Sequence, residues 1–408
     1  MASAAHKFHL DPTTSENLLD PVKMYAELRE NDPVHWSDAV RAWFITRHED
    51  VMSCFRDARL GVPGGEMSEP RLRGLETDNP PTLLTSLIWP LGQGDGRELL
   101  QMRQRFAAVF TPQAIEAWRP ALRQLAARRV EEVSGQGRMN GVKAVSGPLP
   151  LLSMAWLLGI PERERERFQE WARAIAEFIT PTAGTEEGLL TRRAHLATRG
   201  LSDMLCSLLE ERRRAPGGDV LGRLLQGPGG TSEELASQAL RVLFSAHAFI
   251  QDQLSNGLHE LLTHPEQLRA LREDPSLVRS AVEEMLRFNP AVPFVPRIAT
   301  ENVQLRGRTL HKGEVVFLGL AAANRDPQAV PEPDRFDIRR DPFQQKHLSL
   351  GFGAHHHLGA GLVRCELETA LEVLLERLPG LRLDEERLPQ LKCHSLLFRG
   401  FETLAVRW

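Results

Sequence analysis

Residues 347–366 read HLSLGFGAHHHLGAGLVRCE, and the fold turns on how that stretch is understood. Gly351, Gly353 and Gly359 space out a tight loop, and over residues 360–378 apolar side chains recur at helical intervals. Glycine has no Cβ, so such a loop can pass close to something flat or bulky. At its centre stand His355, His356 and His357, of a residue type that binds metals and is a common proximal ligand of haem iron. Side chains of consecutive residues diverge, so three histidines in a row are a poor free zinc or nickel site.

Outside the loop, composition removes several function classes. The 408 residues allow two or three ordinary domains or one large helical domain. The 50 basic and 54 acidic residues leave a net charge of −4, and no basic tract is dense enough for nucleic acid. Cys54, Cys206, Cys365 and Cys393 lie far apart without C-x-x-C spacing. They read as reduced thiols of a cytoplasmic protein, not as a disulfide framework or zinc site. Residues 1–21, MASAAHKFHLDPTTSENLLDP, hold no apolar core of a signal peptide or anchor. No run approaches the ~20 apolar residues of a membrane span. The expectation is a soluble, cytoplasmic protein with neither nucleic acid nor membrane as partner.

In chain order, residues 1–20 read as a tail and 21–408 as one domain. Residues 20–30 have an amphipathic helical pattern opened by Pro21. Residues 34–37 and 42–46 read as small strands, and 48–55 as a helix. Residues 60–97 are rich in Gly and Pro without periodicity, a long loop of the kind that carries function. Helical patterns follow at 98–110, at 113–133 with Pro120 as a break or fresh start, and at 150–158. The run ERERER at 162–167 reads as a solvated face. Residues 233–262 make one long helical pattern whose middle, Val242, Leu243 and Phe244, is almost wholly apolar, as in a buried central helix. Residues 295–320 alternate like strands with Gly313 in a turn, and 379–408 read as β-rich. Glu284 and Arg287 stand three apart on one helical face, the spacing of an ion pair.

The glycine loop resembles the haem-binding loop of the cytochrome P450 family, F-G-x-G-x-H-x-C-x-G followed by A-x-x-A-R-x-E. Gly351, Gly353, His355, Gly359, Ala360, Arg364 and Glu366 match that pattern without a gap. Glu284 and Arg287 match the family's E-x-x-R, and N-R-D-P at 324–327 and P-D-R-F-D at 333–337 follow in order. The resemblance spans roughly residues 21–408. It implies a mostly α, triangular single domain with a small β region, a haem b cofactor and a small apolar metabolite as ligand. It implies that residues 60–97 cover the pocket, with Leu83, Leu84, Leu87, Ile88 and Trp89 lining it and Phe398 and Phe401 reaching it. Residues 178–196 would govern substrate entry, and Arg335 would complete a triad with Glu284 and Arg287. Arg103, Arg297 and His355 would grip the haem propionates, while Leu99 replaces a further contact.

Two departures carry more weight than the matches. Leu350 stands for the family's Phe, and His357 stands for the cysteine whose thiolate holds the iron, so His357 becomes the expected metal ligand. Counting back from His264 places Ser245 and Ala246 at the first two positions of the family's A-G-x-[D/E]-T. Ala248 then replaces the acid and Phe249 the threonine at the oxygen-activating positions. A thiolate pushes electron density toward O–O cleavage, and the acid and threonine help deliver protons. With both altered, ordinary oxygen-activating turnover is not expected.

Two functional expectations follow. One is an atypical enzyme that holds haem through His357 and performs cyclisation, isomerisation or peroxide-type oxidation of a natural-product intermediate. Leu350, Ala354 and Gly361 would then supply room for the longer imidazole. The alternative is a haem-free protein, either a cyclase or a non-catalytic partner of another biosynthetic enzyme such as a glycosyltransferase. His357 would then be a neutral filler of an empty pocket. Cys365, eight residues on and ~12 Å along the helix, is no substitute ligand. His247 reads as a core histidine.

Overall fold

Thr231 caps a 32-residue helix, Ser232–Thr263, which forms the spine of the molecule. Its hydroxyl accepts from the Glu234 amide, and the Glu234 carboxylate accepts from the Thr231 amide, a reciprocal cap that fixes where the helix begins. The N-terminal half of this central helix, Leu235 to Phe244, belongs to one apolar core, and the half from Ala246 to Leu261 belongs to a second. The computed structural model describes residues 11–63, 96–179, 186–227, 229–341, 347–392 and 395–408. The expected pocket-liners Leu83, Leu84, Leu87, Ile88 and Trp89 lie outside the described residues, as do part of 178–196 and the side chains of Leu99 and Ser245. Among the described residues, no helix is long and apolar enough to cross a membrane.

The fold is mostly helical with small sheets. Strands Val34–Ser37, Ala42–Ile45, Val315–Gly319, Phe294–Ala299 and Leu60–Gly61 form one sheet in that spatial order. Ala42–Ile45 runs parallel to Val315–Gly319, and the other pairs are antiparallel. Arg297 lies opposite Val316 in this sheet, which holds its backbone on a rigid element.

Several expectations need correction. Pro120 does not break its helix, which runs unbroken from Pro112 to Ser134 behind the Thr111 cap. One face of that helix is buried, and it packs on the helix Ala360–Arg377 with Arg119 paired to Glu368 at 2.8 Å. Burial of this size outweighs the ~3 kcal/mol that an interior proline costs. Part of the stretch read as a tail is ordered, since Ser15–Leu19 forms a short helix, and the Leu18 and Leu19 carbonyls accept from Arg399. Arg335 does not reach Glu284, because its exposed guanidinium pairs with Glu332 and Asp337. Arg340 takes that place, its Nε 3.3 Å from the Glu284 carboxylate. Phe401 is packed in the core, while Phe398 lines a surface pocket of about 300 Å³ with Tyr25, Phe294 and Lys392.

Candidate functional site

The glycine loop folds back on itself before entering the helix Ala360–Arg377. The His357 amide donates to the Leu350 carbonyl at 2.7 Å, and the Gly351 amide donates to the Leu348 carbonyl at 2.8 Å. Gly351 has φ +74°, and a Cβ there would stand 2.3 Å from the His355 carbonyl oxygen, so only glycine serves. Gly359 has a different role from the one expected. A Cβ on it would lie 3.2 Å from Cε1 of His357, so its bare backbone makes room for that imidazole. The Gly359 amide also donates to His357 Nδ1 at 3.1 Å. Gly361, expected to give the loop slack, is packed instead, since a Cβ there would meet Ile115 at 2.6 Å.

His357 keeps some accessible surface, yet protein surrounds it closely enough to push its pKa down to about 4, with His356 and Arg103 adding to the shift. The ring is therefore neutral near pH 7. Because Nδ1 accepts the Gly359 N–H, the proton of the neutral ring sits on Nε2. The His357 ring lies nearly parallel to the ring of buried Phe249 on the central helix, with centroids 6.5 Å apart and planes at 26°. Phe249, Leu350 and Ala360 share one continuous apolar core. At the positions expected to activate oxygen stand Ala248 and a packed phenyl ring, neither of which carries a group able to move a proton. The next acid along the helix, buried Asp252, is tied to Lys392 at 2.6 Å. His247 is a buried core histidine beside Phe244, and burial pushes its pKa down to about 4.

The structure also gathers the three cationic candidates. Arg297 is only 5% exposed. Its Nη1 donates to the Pro296 carbonyl at 2.8 Å, and its Nε has no acceptor. The guanidinium lies over the Phe55 ring at 5.2 Å, with no carboxylate paired to it among the described residues. Burial pushes its pKa down to about 10. Keeping it charged there costs on the order of 3 kcal/mol at 1.36 kcal/mol per pKa unit. His355 is half-buried beside Phe55, and burial, Arg297 and Arg103 together push its pKa down to about 4. Arg103 donates from Nη1 to the His356 carbonyl at 2.9 Å, and burial lowers its pKa. Among the described residues, no group of three His, Cys, Asp or Glu is arranged to hold a metal ion.

The cytochrome P450 family profile matches residues 138–392. At 33% identity over 377 residues, the chain is similar to the biotin biosynthesis cytochrome P450 of Bacillus subtilis (strain 168), covering 91% of this chain and 92% of that relative.

The chain belongs to the cytochrome P450 family.

It is also 34% identical over 399 residues to mycinamicin IV hydroxylase/epoxidase of Micromonospora griseorubida, with 94% of each chain covered. The crystal structure of CalO2 aligns with a TM-score of 0.86 and 30% identity across 98% of each chain. Cytochromes P450 carry haem, so the residues present can be tested against that group. The two guanidiniums and the neutral His355 ring are donors that suit its carboxylates. The centre of the site does not suit its iron. Nδ1 of His357 accepts the Gly359 N–H, so Nε2 of the neutral ring carries the proton and offers a metal no lone pair. The Phe249 ring lies nearly parallel to that imidazole with centroids 6.5 Å apart. In this arrangement the residues do not fit a haem ligated by His357.

Proposed function

We propose that this cytochrome P450-family chain is a haem-free protein of natural-product biosynthesis, which binds a small apolar metabolite and supports another biosynthetic enzyme. It is not an oxygen-activating monooxygenase. The Phe249–His357 ring pair carries this reading, because two rings with centroids 6.5 Å apart leave little room for a cofactor between them. Ala248 and Phe249 supply no proton route, and His357 is a neutral ring held by Gly359. Such a chain keeps the fold while lacking the groups for redox chemistry, which favours binding over catalysis.

The test is the absorption spectrum and iron content of protein produced with ample haem supply. No Soret band and no stoichiometric iron are expected. A Soret band at one haem per chain would reject the proposal. The double variant Phe249→Thr with His357→Cys is expected to regain haem and a thiolate-type ferrous–CO band, since it removes both rings from the slot. The second reading, haem held by His357, draws on the retained Arg103, Arg297 and His355. It requires His357 to leave Gly359 and Phe249 to swing aside.

A further inference from the structure

We propose that Glu366 and Ser153 form a proton-dependent latch between two buried helices, closed while the Glu366 carboxyl is protonated. The latch does not depend on the haem-free reading. The helix Ala360–Arg377 leaves the glycine loop at Gly359 and packs on the helix Pro112–Ser134 and on the central helix. The helix Pro148–Leu157 packs on the same two. Glu366, 4% exposed, and Ser153, 1% exposed, meet where these four helices come together. Among the described residues, nothing else completes Glu366 Oε2 or Ser153 Oγ. A carboxylate so deep in apolar surroundings needs a counter-charge, whereas a neutral carboxyl does not. The neutral form has one donor and free acceptor positions, and a hydroxyl offers the same, so the two satisfy each other without a cation.

The charges on the surrounding elements are committed elsewhere. The helix Pro148–Leu157, PLPLLSMAWL, carries none. On the helix Pro112–Ser134, Arg119 pairs with Glu116 and with Glu368 of the loop's own helix, and Arg123 pairs with Glu372. The helix Val278–Phe288 brings Glu283, held by Arg364, and Glu284, held by Arg287, while Arg279 acts on Glu116 and Glu368. On the central helix, Asp252 is tied to Lys392, His247 is a neutral core ring, and buried Arg241 has a partner. The neighbouring Cys365 thiol stays neutral, pushed up to about 12 by burial. What acts on Glu366 is burial, which pushes its pKa up to about 8, and the Ser153 hydroxyl, which opposes that rise.

As pH rises, the unfolded chain loses this proton near the ordinary 4.5, while the folded chain keeps it to about 8. The latch therefore stabilises the fold most in acid and releases as pH rises toward 8. The experiment measures unfolding of the full-length protein by chemical denaturation across this range, for wild type, Glu366→Gln and Ser153→Ala. Glu366→Gln keeps the shape of the carboxyl without its acid. Between about pH 6.5 and 7.5 the wild-type unfolding constant should rise about tenfold per pH unit relative to that of Glu366→Gln. At pH 8.5, amides of residues 360–370 should exchange faster in wild type than in Glu366→Gln. Without the opposing hydroxyl, the steep part of the profile should end at higher pH in Ser153→Ala. Should Glu366→Gln fold poorly, that comparison of wild type with Ser153→Ala carries the test. Parallel profiles for wild type and Glu366→Gln, or a profile that Ser153→Ala does not move, overturn the latch.

Discussion

Two of the buried arginines, Arg287 and Arg297, have opposite surroundings. Arg287, 2% exposed, donates from Nε and Nη2 to the two oxygens of Glu284 at 2.7 and 2.8 Å, and from Nη1 to the carbonyls of Asn324 and Pro333. Nη2 also reaches the Arg335 carbonyl at 3.2 Å. Arg297, 5% exposed, has a single hydrogen bond and no acid paired to it among the described residues. A buried charge that is fully paired belongs to the framework. One left incomplete costs stability in the free protein, and it is retained where something from outside completes it.

The largest test of that contrast is Glu284→Gln. Breaking a buried ion pair by removing one partner costs about 3–5 kcal/mol, so chemical denaturation should find this variant close to unfolded. Arg297→Met should act in the opposite direction. Removing a buried cation without a counter-charge is expected to stabilise the ligand-free chain by about 1–3 kcal/mol, raising its denaturation midpoint. If Arg297→Met destabilised the chain as Glu284→Gln does, the two arginines would be alike and the contrast would fail.

A smaller effect is expected in acid. His355 has a folded pKa of about 4, below the ordinary 6.5 of the unfolded chain, so the unfolded state takes up its proton first. Its contribution is neutral above about pH 6.5 and increasingly destabilising as pH falls toward 4. Arg297 is one cause of that shift, so Arg297→Met should raise the His355 pKa, read by NMR titration of its ring. Glu283 has the other sign. Burial works to raise its pKa but is outweighed by hydrogen bonds from His347 and Arg364, which hold it near 2. It stabilises the fold above the ordinary carboxylate range and loses that contribution as pH falls toward 2.

The smallest effect should come from Arg335→Ala. Its guanidinium pairs only with exposed or half-exposed acids, so a change within about 0.5 kcal/mol is expected. Arg340→Ala removes a buried contact to Glu284 together with bonds to the carbonyls of Pro331, Glu332 and Arg335, and should cost clearly more in the same denaturation assay. Equal effects would restore Arg335 to the triad.

Much of this was legible in the chain itself. The spacing of apolar residues located the central helix within a residue at each end, because a helix buried on all sides leaves a continuous pattern. Glu284 and Arg287 were readable because their partnership is local, three residues apart on one helix. Pro120 misled, since helix propensity is a local quantity and the packing that overrides it comes from residues 360–377. Arg335 misled for a similar reason. Two arginines five residues apart on an irregular segment differ only in which one the chain turns inward.

The sequence alone determined the family, the loop of glycines and which residues stand at 248, 249 and 357, because these are matters of residue type and order. Only the tertiary structure decided that Phe249, 108 positions before His357, pairs with its ring, and that no acid among the described residues reaches Arg297. Contacts between distant segments and missing counter-charges depend on where chains meet in space, and neither leaves a periodic signal along the chain.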